Sequence, residues 1–147
     1  MSLTYVTGDL LDSKLPFLGH GCNCFHTMGS GIAPVIRGRY PMVYVADVSH
    51  HDRGNIFALG SASSHQLPSG QTFLNLYTQY RTGPSFEYAA LSAALDYAHG
   101  ALGVEQLGLP RIGCGIGGGE WHAVAAIIRS SPIDITVYTL PDHPEAS

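Results

Sequence analysis

Two stretches of this 147-residue chain set glycines where bare backbone could hold a phosphorylated ligand. In Gly113-Cys-Gly-Ile-Gly-Gly-Gly119, five of seven residues are glycine, between an expected strand and a helix starting near Glu120. The first amides of a helix have no carbonyl partner, and the helix dipole adds roughly half a positive charge there. A pyrophosphate suits such a spot. Glycine admits it because a side chain would block close approach and oppose positive φ. Met28-Gly-Ser-Gly-Ile-Ala33 is a second loop opening a helix. Loops at the ends of different strands can clamp two phosphates and a ribose of one ligand. Gly113, Gly115 and Gly118 also spell GxGxxG, but a dinucleotide fold needs that fingerprint in its first βαβ unit, with an acid about 20 residues on. Only one helix and one strand remain after it here. A kinase-type P-loop is excluded because no Gly-Lys-Ser/Thr follows.

His20, Cys22 and Cys24 alternate along an expected strand. An imidazole with its usual pKa of about 6.5 can move protons or attack phosphorus near neutral pH. A lone strand histidine is more commonly a packed one. As metal ligands the three fail, because in a strand residues i and i+2 sit roughly 6.6–6.8 Å apart, too far for one tetrahedral ion. The cysteines, Cys114 included, read as small apolar packing groups. Eight histidines include the adjacent His50 and His51, but no CxxC or HExxH frame. No metal and no cofactor are expected. Asp9 follows Gly8 and reads, on its own, as a turn carboxylate.

The elements that must position these residues alternate in type. Leu3–Thr7, Phe17–Cys24, Phe57–Ser63, Thr72–Tyr80, Gln106–Pro110 and Asp134–Leu140 read as strands. Ser30–Tyr40, Met42–Ser49, Ser85–Leu102 and Glu120–Ser130 read as helices. In the third helix, Leu91, Leu95, Ala98 and Leu102 form one apolar stripe, with Ser85 as its cap. Pro68-Ser69-Gly70 turns between two strands, and 49–55 has no assignment. This pattern predicts an α/β fold, a three-layer α/β/α sandwich, over residues 1–141, with 142–147 as a frayed tail. Hydrophobic residues make up 45% and charged residues 12%, which excludes charge-driven disorder. A net charge of −4 with Lys14 as the one lysine leaves no basic surface for direct nucleic-acid binding. No export signal or membrane span is read, so a cytoplasmic protein is expected. Three cysteines argue against a disulfide framework.

Tyr5-Val-Thr-Gly-Asp9, His20-Gly-Cys-Asn23, Met28-Gly-Ser-Gly-Ile-Ala33, Leu109-Pro-Arg-Ile-Gly-Cys-Gly-Ile116 with Trp121, and Ile135-Thr-Val-Tyr-Thr-Leu140 occur in an order that resembles the macro-domain family. The likeness runs from Leu3 to Leu140. It is strongest to the branch holding yeast ADP-ribose-1″-phosphate phosphatase, the terminal ADP-ribose–glutamate glycohydrolase and bacterial or phage relatives. It implies a mixed central sheet and ADP-ribose, or a derivative, as the ligand. By that resemblance Asp9 meets the adenine amino group, with Leu10 beside it. Asn23, Gly29, Ser30, Gly31 and Ile32 lie along the distal ribose. Gly113, Cys114, Gly115, Ile116, Gly117 and Gly118 follow the diphosphate, and Thr139 and Leu140 border the adenine.

Departures from the family pattern narrow the chemistry. The glutamate-releasing glycohydrolase has lysine where this chain has Gln79 and aspartate where it has Gly117. Gln79 cannot form a Schiff base and Gly117 has no side chain to act as a base. The resemblance to the yeast phosphatase makes His20, with Asn23, the catalytic candidates for releasing phosphate from ADP-ribose 1″-phosphate. The alternatives are a lysine-independent hydrolase acting on an ADP-ribosylated protein or nucleic acid, and a non-catalytic binder.

Overall fold

A computed structural model describes residues 2–141. The expectation about residues 142–147 lies outside the described residues. Six strands form one sheet: β1 (Leu3–Thr7), β2 (Phe17–Cys22), β3 (Ala62–Gln66), β4 (Thr72–Tyr77), β5 (Gln106–Leu109) and β6 (Asp134–Thr139). Their spatial order is β1-β6-β5-β2-β4-β3, with every pairing parallel except β3 against β4. The sheet is therefore mixed. Helices α1 (Ala33–Arg39) and α2 (Pro41–His50) cover one face, α3 (Tyr88–Leu102) and α4 (Trp121–Ser130) the other. Among the described residues no helix is long and apolar enough to cross a membrane.

Alternation within the strands sorts the core. In β4, Leu74 and Leu76 join Leu91, Leu95, Leu107, Val124, Ile128 and Val137 under α3 and α4. Phe73 and Tyr77 join Leu18, Ile36 and Val43 under α1 and α2. This is the period-two rule of a sheet covered on both sides. Helix α3 ends at Gly103, whose φ of 70° places it in the left-handed cap position.

Several expected boundaries move, each for a local reason. Phe57 is not in a strand: the Asn55 side chain accepts from the Phe57 amide and closes a 3₁₀ turn over Ile56–Ala58, so β3 starts only at Ala62. Helix α1 starts at Ala33 rather than Ser30, because Met28 (φ 40°) and Gly31 (φ 60°) hold the preceding loop in left-handed conformations. Ser85 does not cap α3. Phe86 bridges back to Gln79, which delays the helix to Tyr88, and the Ser85 hydroxyl accepts from the Arg81 amide instead. Strands β2, β4, β5 and β6 each stop one to three residues before their expected ends, where the chain turns into the loops of the site.

Candidate functional site

All five parallel strands point their C-terminal ends at one rim, the place where open α/β sheets bind ligands. A cavity of about 520 Å³ opens there. It gathers residues that the chain keeps far apart: Asp9 after β1, His20 in β2 and Asn23 just after it, Gln79 after β4, Gly113 after β5 and Leu140 after β6.

Of the residues predicted as ligand contacts, Asp9, Leu10, Gly29, Ser30, Gly31, Ile32, Gly113, Gly115, Ile116, Gly117 and Leu140 line this cavity. Cys114, Gly118 and Thr139 do not. Cys114 packs toward the α3/α4 core. Gly118 turns away with φ 80°, its amide bonded to the Gly115 carbonyl at 3.2 Å. Thr139 loses its place to strand alternation, since Tyr138 and Leu140 point to the cavity and the residue between them points away.

Two positions of the 113–119 loop leave no room for a Cβ. Gly113 has φ 80°, and an added Cβ would lie 2.5 Å from the Phe86 ring. At Gly119 an added Cβ would lie 2.7 Å from the Gly113 carbonyl oxygen, the same oxygen that accepts from the Gly119 amide at 2.7 Å. The loop is thus held by its own backbone and by Phe86. Gln79 and Gly117 face one another: a Cβ on Gly117 would meet Gln79 Oε1 at 2.9 Å. The two positions at which the chain departs from the lysine-dependent pattern are adjacent in space.

Asp9 is the turn carboxylate and also a cavity residue. One oxygen accepts from the Leu11 amide at 2.9 Å, capping a 3₁₀ turn over Leu10–Asp12. Asn23 is engaged at both ends of its amide, donating to Thr27 Oγ1 at 2.7 Å and accepting from the Phe25 amide at 2.8 Å. It shapes the loop between β2 and α1.

His20 is 1% exposed, packed edge-on against Phe73. Its Nε2 lies 2.7 Å from Asn75 Oδ1. The Asn75 amide nitrogen donates to Val43 O and to Ser63 Oγ, so Oδ1 can only accept and His20 Nε2 must carry the hydrogen. Nδ1 keeps the lone pair and has no protein partner. Burial lowers the pKa to about 4, against a smaller opposing effect of the Asn75 bond. The expectation of an imidazole titrating near 6.5 is corrected: at neutral pH His20 is a neutral ring whose one unpartnered acceptor is itself buried. Burial pushes the neighbouring Cys24 thiol up to about 11, and Cys22 is also raised, so both stay protonated.

Sequence reasoning missed Thr78, Thr82, Ile112 and Tyr138 on the cavity wall. Tyr138 was within reach of the strand-alternation rule. The others arrive through loop geometry that no spacing announces.

No protein-family model matches the chain. It is 35% identical to an uncharacterized 17.5 kDa protein of Enterobacteria phage T4, over 93% of this chain and 96% of that one. It is 30% identical to the ADP-ribose glycohydrolase OARD1 of Bos taurus, over 94% and 91% of the two chains. The macrodomain of Thermus aquaticus DarG superposes with a TM-score of 0.77 at 25% identity, covering 92% of this chain and 97% of that one. These relatives share the fold and nearly the whole length with it. The chain belongs to the macro-domain family.

Proposed function

We propose that the protein binds ADP-ribose in the rim cavity and acts as a hydrolase on a group carried by the distal ribose, with ADP-ribose 1″-phosphate as substrate. The observation that carries the reading is the convergence of four segments, 9–11, 20–23, 28–33 and 113–117, on one cavity of about 520 Å³. Volumes of roughly 300–1,000 Å³ suit a ligand of this class. The Asp9 carboxylate supplies an acceptor for an exocyclic amine, and the 113–119 backbone supplies donors for a diphosphate. Cys114, Gly118 and Thr139 take no part in this assignment.

In the phosphatase reaction a water oxygen bonds to phosphorus, the bond from phosphorus to the ribose oxygen breaks, and the proton that the water gives up ends on that ribose oxygen. His20 serves it as a neutral acceptor, its Nδ1 taking a hydrogen bond from the water or from a ribose hydroxyl. Asn23 orders the loop that closes over the ribose. The identity to an ADP-ribose glycohydrolase favours a second reading, release of ADP-ribose from a modified macromolecule. Gln79 and Gly117 then require a positioned water rather than a lysine adduct. A cytoplasmic setting, where thiols stay reduced, suits the three free cysteines.

The test is incubation with ADP-ribose 1″-phosphate and an assay of free phosphate, beside calorimetry with ADP-ribose. Wild type should release phosphate, and His20→Ala should slow release by about 10²–10⁴-fold while still binding ADP-ribose. Binding without release would move the reading to a modified macromolecule or to a pure binder. Absence of binding would overturn it.

A further inference from the structure

Behind the loop that carries Thr27, Met28 and Gly29 to the cavity, three side chains converge. His26, Asp47 and His51 each offer a ligand atom within 4.8 Å of the other two. Three of their polar atoms are buried with no hydrogen-bond partner: His26 Nε2, Asp47 Oδ2 and His51 Nδ1. Buried polar atoms are nearly always satisfied, so three orphans in one cluster call for an explanation.

Two of the three residues have their other polar atom held as a ligand set requires. His51 Nε2 lies 3.2 Å from the Cys24 carbonyl, which can only accept. That bond places the hydrogen on Nε2 and leaves Nδ1 as a bare lone pair. Asp47 is fully buried, and its Oδ1 accepts from the Tyr77 hydroxyl at 2.7 Å, which orients Oδ2. Such outer contacts fix the tautomer and direction of metal ligands. His26 adopts φ 57°, a left-handed conformation uncommon for a residue with a side chain, and its carbonyl accepts from Tyr44. The rings of His26 and His51 lie 4.5 Å apart, tilted by 51°. Two imidazoles and one carboxylate suit a divalent ion of the zinc class. Bonds of about 2.0–2.2 Å in a tetrahedron space ligand atoms about 3.3–3.6 Å apart, within reach of small side-chain rotations here.

We propose that His26, Asp47 and His51 form a zinc-class metal site that ties the 23–29 loop to the C-terminal end of α2. None of the three lines the cavity, so the ion is structural: it fixes the loop from behind and takes no part in hydrolysis. Nothing in this inference rests on the ADP-ribose reading. Sequence spacing could have raised only half of it, because Asp47 and His51 stand four residues apart at the end of a helix while His26 comes from a distant loop.

The full-length protein, stripped with a chelator and dialysed, is titrated with ZnCl₂ against a competing chromogenic chelator, and separately with CoCl₂ under visible spectroscopy. One Zn²⁺ should bind per chain, and Co²⁺, with water in the fourth position, should give four-coordinate d–d bands without thiolate charge transfer. His51→Ala should abolish both signals. Tyr77→Phe, which keeps all three ligands, should weaken affinity about 10–100-fold. His122→Ala, on an exposed side chain, should change nothing. Failure of the wild type to bind in either titration, thiolate bands that implicate the cysteines, or full binding by a folded His51→Ala would each overturn the proposal. If His51→Ala does not fold, the wild-type cobalt spectrum and Tyr77→Phe decide it.

Discussion

The two faces of the sheet are built on different terms. Under α3 and α4 the core is apolar throughout, with Leu74, Leu76, Leu91, Leu107, Leu109, Ile128 and Val137 at 0% exposure. Under α1 and α2 the same strands bury a polar chain among the apolar side chains. It runs from His20 to Asn75, on through Ser63 to Tyr77, and ends at Asp47, with donor–acceptor distances between 2.7 and 3.0 Å. The first face can tolerate any side chains that fill it. The second is specified atom by atom, because each hydrogen on it has its own acceptor and a lost partner strands a buried polar group. The site residues His20 and Asn23 and the metal-ligand cluster all belong to the second face.

The largest expected effect breaks the apolar side. Leu91→Ala should destabilise the fold by about 2–5 kcal/mol in urea titrations, because it opens a cavity among fully buried neighbours. It should leave the shape of the stability–pH profile as in wild type, since no titrating group is touched.

The next effect reads the polar side through pH. His20 has a folded pKa of about 4, below the usual 6.5, so below 6.5 the unfolded chain binds the extra proton. Stability from this group is complete above about 6.5, falls as pH drops toward 4, and is flat below. The loss over that window is on the order of 3 kcal/mol, at about 1.4 kcal/mol per pKa unit. His20→Gln should remove most of this slope; denaturation curves in which it keeps the wild-type slope would refute the assignment.

The smallest effect separates binding from folding at the rim. Asp9→Asn keeps an acceptor for the Leu11 amide and so keeps the cap. It exchanges the second carboxylate oxygen for a donor, which opposes an adenine amino group. Calorimetry with ADP-ribose should show about tenfold weaker binding, roughly 1.4 kcal/mol, with an unchanged melting temperature. Equal affinity in the variant would move the adenine elsewhere in the cavity.

How much could be read beforehand follows the same division. The apolar stripe of α3 and the alternation of β4 are periodic, and periodic features survive in one dimension. The 113–119 loop was legible because its geometry admits only glycine at Gly113 and Gly119, so residue type records conformation. The polar side is not periodic. Asn75 reads as one polar residue inside a strand, and nothing nearby in the chain says that it holds His20 and Ser63. The 3₁₀ turn over Ile56–Ala58 overlaps an expected strand because Phe57 and Ala58 are apolar, while the Asn55 cap that sets the turn is a single residue. Gln79 and Gly117 were paired through resemblance to the family; their contact is set by where β4 and β5 end, not by spacing.

The pairing of β1 with β6 has a consequence for how the molecule is made. The first strand finds its hydrogen-bonding partner only after the last has been synthesised, since Leu3–Thr7 lies against Ile135–Thr139. Asp9 and Leu140, more than a hundred residues apart in sequence, therefore share one wall only once β6 is in place. A chain still growing has both glycine loops yet lacks a finished pocket. A ligand that touched both Asp9 and Leu140 would stabilise only a chain in which β6 has been made.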